Sequence, residues 1–540
     1  MSITVTTGLW RPLQVPTFRH LLMANVVSDI GAFMQSVGAA WLMLSFGAGP
    51  MYVALIQTAS SLPFFLFALP AGSIGDIVDR RKLILFTEAW MIVTAVVLAV
   101  LTIVGAMSPW LLLILTFAIS AGDAFEAPSW RAILPELVSK DDLATASALG
   151  GIEFNLARAV GPALAGALIA VASVGTAFAV NAISFVGVVL VIARWKRPSR
   201  KRAAPVETIR GATVAALRYV RYSPAICRVA LRAGVVMFFA SAILALLPSI
   251  AHRASGSPLG FGFLLGCFGA GAIAGALLLQ PAHSRWSTEA VASVSVIILG
   301  ATIVATAVLR GLSPLGALMV VGGSAWIIFI ALLSALVQNL APDWVRARVL
   351  AIYMLVFQGG MAAGSALWGI IGDRWGIEVA LVCAGVGAFA ATALGFVWKL
   401  PDAPADVSPW NHWPMPAIVD GDKPDLQDGP VLITVEYIVD PEKAAEFLNA
   451  MRKYERVRRR DGASRWGIFH DAEAGDRYVE TFLVHSWAEH LRQHARQTLG
   501  DRKLEKQVHS YARREPKVQH LIYARRRPAY KPGSQKRSER

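Results

Sequence analysis

Gly72-Ser73-Ile74-Gly75-Asp76-Ile77-Val78-Asp79-Arg80-Arg81-Lys82 stands between two long apolar runs, residues 51–74 and 83–105. Three adjacent cations are expelled from hydrocarbon, so the stretch reads as a loop joining two membrane spans. Outward from it, comparable apolar runs lie at 20–45, 110–130, 144–171, 175–194, 227–250, 259–280, 289–309, 314–337, 349–371 and 377–398. Each reaches the roughly 20 residues needed to cross ~30 Å of hydrocarbon. Turn chemistry separates them: Gly47-Ala48-Gly49-Pro50, Ser108-Pro109, Ser257-Pro258 and Ser313-Pro314. The first run carries Asp29, is too long for a signal peptide and lacks a small-residue cleavage pattern. The expectation is an all-α membrane protein of about 12 transmembrane helices in two six-helix halves.

Composition agrees and adds a boundary. The 540 residues are 55% hydrophobic and only 16% charged, where soluble domains carry about 25%. An ordinary soluble enzyme is excluded. Residues 1–399 hold 26 Lys/Arg and 15 Asp/Glu, whereas 400–540 hold 25 and 21. The chain therefore divides into a membrane body, 1–399, with halves 1–195 and 225–399 joined by a loop, 196–224. A Pro- and Asp-rich linker, 400–430, follows, then a soluble domain, 431–527, and a basic tail, 528–540, suited to anionic lipid. The net charge of +15 does not indicate nucleic acid, because the body's excess of +11, 26 Lys/Arg less 15 Asp/Glu, sits in short loops. Cys227, Cys267 and Cys383 offer neither a disulfide framework nor metal spacing.

The loops alternate in charge. One set holds Arg80-Arg81-Lys82, Arg131 and Lys140, Arg194 through Arg202, Arg285, and Arg346 with Arg348; the other holds Arg253, Arg310 and Arg374. The basic set should face the cytoplasm, placing both termini there. Residues 206–222 read as an amphipathic surface helix. An echo at offset 207, Pro135-Glu136-Leu137-Val138 against Pro342-Asp343-Trp344-Val345, suggests parallel repeats of about six spans. Two bundles rocking about one central site is the logic of alternating access.

The opening stretch resembles the loop 2–3 signature of the major facilitator superfamily, G-x-x-x-D-x-x-G-R-[RK]. Gly72, Asp76, Arg80 and Arg81 match, and Asp79 replaces a glycine. The resemblance implies a charge latch on the cytoplasmic side; the plainer alternative is a topology signal alone. Asn155 through Gly166 resembles the exporter-associated signature G-x8-G-x3-G-P-x2-G-G. Gly161, Pro162 and Gly166 match, while Ala148, Ala157 and Ala165 stand for glycines. Small residues let helices approach, and Pro162 removes a helix hydrogen bond. Plain packing is the alternative to an export role. The fourth span's usual R-x-x-x-G departs: Ala118 precedes Gly122. The chain as a whole resembles the bacterial transmembrane secretion effector branch, which includes enterobactin-type exporters. Phe18-Arg19, Ser60-Ser61-Leu62-Pro63, Pro135–Val138, Asn155–Pro162, Val479–Phe482 and Ser486–His494 carry the likeness.

Ionisable groups inside spans face a bundle interior or cavity. Asp29, Asp123, Glu153 and Arg158 are the candidates for substrate or proton coupling, with Asp29 near the midplane. Glu126 lies closer to the cytoplasmic end, where it would join the latch by pairing with Arg80 or Arg131. Glu88 and Arg232 are further in-span charges.

Beyond the linker the pattern reads strand 431–439, helix 442–460, strands 464–471 and 477–485, one helix 487–510, and strand 518–524. The order βαββαβ is ferredoxin-like, and it resembles the antibiotic-biosynthesis monooxygenase fold, which implies a homodimer. His490 and His494 lie one helical turn apart, but no Cys or acidic ligand is spaced beside them, so they read as a surface pair and no metal site is expected. No cofactor or catalytic residue is expected either. No G-x4-G-K-[ST] nucleotide loop occurs. The expected function is proton-driven export of a small molecule across the bacterial cytoplasmic membrane, with small-molecule substrate, protons and the lipid bilayer as partners. The alternative is a membrane-anchored enzyme or sensor that uses the C-terminal domain.

Overall fold

The computed structural model describes residues 10–139, 141–195, 209–402, 406–410 and 425–523. The side chains of Gly72, Asp76 and Arg131 lie outside the described set, as do Lys140, residues 196–208 of the loop 196–224, residues 411–424 and the basic 528–540 tip. The chain forms two compact units. The first comprises 1–213, 225–341 and 345–404, and the second 214–224, 342–344 and 405–540.

Among the described residues, twelve helices are long and apolar enough to cross a membrane. They are α1 (Pro16–Ser45), α2 (Pro50–Ile77), α3 (Arg80–Ile103), α4 (Pro109–Leu137), α5 (Leu143–Val171), α6 (Val174–Arg194), α8 (Pro224–Ser255), α9 (Pro258–Arg285), α10 (Thr288–Val308), α11 (Leu312–Leu340), α12 (Asp343–Trp375) and α13 (Ile377–Thr392), which the short α14 (Leu394–Val397) extends. Between α6 and α8 lies α7 (Ile209–Arg221). The turn residues act as expected at most joins. Ser108 and Ser257 cap α4 and α9 by accepting a backbone N–H, each with proline opening the helix. Ser313-Pro314 does not start α11. The helix begins at Leu312 behind Gly311, whose φ of 89° only glycine adopts readily.

In the second unit, β1 (Val431–Ile438), α15 (Ala444–Asp461), β2 (Ser464–His470), β3 (Arg477–Val484), α16 (Trp487–Ala495), α17 (Leu499–His509) and β4 (Lys517–Ile522) follow one another. The four strands pair antiparallel in the order β2-β3-β1-β4. Val431, Ile433, Val435 and Tyr437 alternate inward and pack with Phe447, Met451, Tyr454 and Phe482 as the core. The single helix expected over 487–510 is two. Thr498 caps α17 by accepting from the Asp501 N–H, and the Asp501 carboxylate reaches back to the Thr498 N–H. That reciprocal box stops α16 and restarts the chain as a new helix. Residues 406–410, within the expected linker, bond the start of α17 through Trp410 N to Gln497 O at 2.9 Å and Leu499 N to Ser408 O at 3.0 Å.

Candidate functional site

The sequence reads Asp29, Glu88, Asp123, Glu126 and Glu153 as separate in-span charges; the fold gathers them. Alternate helices run in opposite directions, so the starts of α1, α3 and α5 share a level with the end of α4. At 1.5 Å per residue the five acids sit about 12–21 Å in from that level. Asp29 on α1 meets Glu153 on α5 in carboxyl–carboxyl contact. Glu88 on α3 meets Glu126 on α4 in the same way. Glu88 is 3% exposed and Glu153 7%. Among the described residues no donor reaches Glu88 Oε2 or Glu153 Oε1. A carboxyl–carboxyl hydrogen bond needs one proton between its members, so each pair is a place to hold a proton. Asp123 stands close enough to feel the charge of Asp29.

Arg158 lies on the helix of Glu153 but does not pair with it. Its guanidinium stacks over Phe154 at 4.9 Å and Phe33 at 6.0 Å, with no ion pair among the described residues. Arg232 is 1% exposed and bonds Glu289 at 2.6 Å, while Glu289 also accepts from Leu400 N. That makes it a structural clamp rather than a member of the acid cluster. At the missing-arginine position, the Ala118 carbonyl accepts from the Trp90 indole at 2.8 Å.

Of the pairings expected for the latch, the one between Arg80 and Glu126 is not formed, and the one with Arg131 lies outside the described residues. Arg80 donates to Glu136 at 2.8 Å and to the Ala132 carbonyl at 3.1 Å. Glu126 does not reach it: Thr87 Oγ1 donates to Glu126 at 2.7 Å, and Glu88 takes its other side. Glu126 lies about three turns inside α4, counted from Leu137, too deep for a guanidinium at the membrane edge. Arg81 donates to the Ile192 and Ala193 carbonyls at 3.0 and 2.6 Å, groups that the end of α6 leaves unpaired. Asp79, which replaces a family glycine, caps α3 by accepting from Arg81 N and Lys82 N.

The exporter-like signature forms helix seams. A Cβ on Gly161 would lie 2.7 Å from Phe33 Cβ on α1. One on Gly166 would lie 2.8 Å from the Pro258 carbonyl of α9. From the other side, a Cβ on Gly262 would lie 2.5 Å from the Pro162 carbonyl, and one on Gly269 3.0 Å from Arg158 O. Arg158 O is the carbonyl that Pro162 leaves without its helix partner. Backbone thus meets backbone along α5 and α9.

Elsewhere in the first unit, Arg253 and Arg310 flank Glu378 at 2.8 and 3.3 Å beside a cavity of about 320 Å³. None of the five acids lines it.

A family model described as transmembrane secretion effector matches residues 7–528. The staphyloferrin A transporter of Staphylococcus aureus is 27% identical over 31% of this chain and 42% of its own length. The multidrug efflux pump Tap of Mycolicibacterium fortuitum is 22% identical over 66% and 90%. The enterobactin exporter EntS of Salmonella typhi is 26% identical over 50% and 65%. The chain thus spans less than half of the first of these relatives and just under two thirds of the last. Among solved structures, a bacterial homologue of the human lysosomal transporter Spinster, inward-facing and unoccupied, superposes with a TM-score of 0.60 at 14% identity, over 72% of this chain and 97% of that one. The nucleoside transporter NupG gives 0.58 at 12% identity, over 71% and 100%. These two likenesses show the fold.

Proposed function

The chain belongs to the transmembrane secretion effector family of major facilitator transporters, and from that premise we propose that it exports a small molecule across the bacterial cytoplasmic membrane in exchange for protons. The observation that carries this reading is the contact of Asp29 with Glu153, one acid from each of two spans. Both acids belong to the first half; as the two halves rock, the pair is opened to water first from one side of the membrane and then from the other. The shared proton is then taken up and released with the motion. Glu88 and Glu126 form a second station, and Asp123 lies near both pairs. The α5–α9 seam, smooth because its contacts are backbone, suits two bundles rocking about a centre. The charge of the loops supports a cytoplasmic side for both termini.

The relatives' names suggest a siderophore, drug or comparable metabolite as the exported compound. The C-terminal unit we read as a ferredoxin-like domain of the antibiotic-biosynthesis-monooxygenase kind, acting as a pairing or regulatory module rather than an enzyme. Its strand order β2-β3-β1-β4 and the helices between β1 and β2 and between β3 and β4 support that reading. The test is transport in proteoliposomes with an imposed pH gradient, using metabolites found depleted from the medium of a deletion strain. Gradient-dependent movement of substrate, abolished by a protonophore, is the expected result. Movement indifferent to the gradient would refute proton exchange.

A further inference from the structure

In the second unit α16 sets His490 and His494 one turn apart, and β4 brings His520 to the same spot. Ring centroids lie 4.5 Å apart for His490 and His494, and 4.7 Å apart for His490 and His520. Nε2 of His490 is 3.0 Å from Nε2 of His494. One nitrogen from each of the three rings lies within 4.8 Å of the others. Zinc–imidazole bonds of ~2.0–2.1 Å at tetrahedral angles hold ligand nitrogens roughly 3.3 Å apart. The three rings are therefore already near the spacing of co-ligands.

The surroundings suit a cation held by neutral donors. Burial, the neighbouring imidazoles and Arg458 push His490 down to about 3 and His494 to about 4, and burial lowers His520. Burial that disfavours the imidazolium favours the neutral imidazole, the form that binds metal. Arg458 is the nearby cation, and its charge is answered. Its Nε and Nη2 reach the fully buried Glu480 at 3.0 and 3.3 Å. Trp487 packs on His490 and His520 at 5.3 and 6.0 Å, giving the rings an apolar wall. His490 is buried, while His494 and His520 are partly exposed, so solvent reaches the cluster on the side of those two rings.

We propose that His490, His494 and His520 form a three-imidazole site for a divalent late transition ion, Zn(II) being the best match, with the fourth coordination position left for water or an outside ligand. Imidazole donors favour Zn, Ni, Cu and Fe over Mg or Ca. Three protein ligands with one position unfilled are the arrangement of an exchangeable site rather than a closed structural one. The site is built from residues of the second unit and the acid cluster from the first, so the proposal stands or falls independently of proton-driven export.

The full chain, purified in detergent with any affinity tag removed and stripped by chelator, is titrated with Co(II) and then Zn(II). The expected result is one ion per chain, tetrahedral Co(II) ligand-field bands, and their loss when Zn(II) displaces it. His494→Ala and His520→Ala each weaken binding at least about 100-fold, while His283→Ala in α9 leaves it unchanged. His520→Gln, on a half-exposed edge strand, serves if the alanine variants misfold by circular dichroism. In the unaltered protein, Zn(II) also protects His494 and His520 from diethyl pyrocarbonate. Equal Co(II) binding by wild type and variants, an adventitious ion only, or no protection of these histidines would overturn the proposal and leave a His–His hydrogen bond.

Discussion

Arg80 at the start of α3 holds Glu136 near the end of α4 across 2.8 Å, with the Glu136 side chain 5% exposed and the Arg80 side chain 26%. The pair ties together helices that flank the acid cluster. An exposed ion pair contributes up to about 1 kcal/mol and a broken buried one costs about 3–5. Arg80→Ala removes this ion pair, whose carboxylate is buried, and should cost about 2 kcal/mol of stability. Transport should fall about tenfold, with Glu136→Gln milder. The swap Arg80→Glu with Glu136→Arg should recover part of both, measured by thermal unfolding in detergent and by vesicle transport. No recovery in the swap would argue against the pair as a latch.

The seam between α5 and α9 makes a sharper demand. A Cβ on Gly269 would stand 2.8 Å from Ala159 Cα and 3.0 Å from Arg158 O. Both are backbone atoms, which cannot swing aside as a side chain does. Gly269→Val and Gly166→Leu should therefore abolish transport even where the protein still reaches the membrane. Gly150→Ala meets nothing within 4 Å and should be silent. Export assays on membrane-normalised protein distinguish the two classes.

Topology is checked directly. Reporter fusions after residue 205 should report the cytoplasm and fusions after 255 the opposite side, because the basic loops fall on one side. The reverse result would invert the proposed direction of every span.

The second unit carries its own core. Every member of its hydrophobic cluster lies within 431–522. A fragment spanning 405–527 should fold as a soluble α/β protein. Its outer sheet face shows Phe469 at 60% exposure and Leu521 at 51%, on the side opposite Ile433 and Phe482. That face should pair two copies, and Phe469→Asp with Leu521→Asp should yield a monomer by sedimentation. The fragment should also lose stability in acid. His490 and His494 titrate near 3 and 4 when folded and near 6.5 when unfolded. The unfolded chain therefore binds these protons first. Their contribution is complete above pH ~6.5 and disappears as pH falls towards 4, roughly 1–2 kcal/mol each by pH 5 after solvent screening. His494→Gln should flatten the profile, and a pH-independent midpoint would contradict it.

The spans were legible because length and apolarity alone decide them, and Ser-Pro pairs gave two joins to the residue. The break at Thr498 was also written in the chain, as a Thr-x-x-Asp box inside an otherwise helical pattern, but amphipathic periodicity on both sides concealed it. The partners of the charges were not legible. Glu136 and Glu126 are equally acidic in sequence, and only the depth of each along α4 decides which one meets Arg80. His520 sits 26 residues beyond His494. The antiparallel addition of β4 beside β1 carries it back to α16, which no ligand spacing announces. Asp79 looks like a lost glycine until it is seen capping α3.

The last prediction concerns Asp29 and Glu153. Their contact holds a proton because two acceptors meet, and among the described residues no donor reaches Glu153 Oε1. Asp29→Asn supplies a permanent N–H to Glu153 and so mimics the protonated pair at all times. The protein should fold and still bind substrate, but the proton can no longer be released, and gradient-driven export should fall at least about 100-fold. Substrate exchange between two sides at equal concentration, which needs no net proton movement, should survive. Glu153→Gln should give the same split, since either member can donate. Glu126→Gln should only slow export, because Thr87 already donates to that carboxylate at 2.7 Å and the amide oxygen can accept in its place. Counterflow and pH-driven flux measured on the same vesicles decide the matter. Loss of both modes in Asp29→Asn would make Asp29 a substrate ligand, and retention of both would shift proton handling to Glu88 with Glu126.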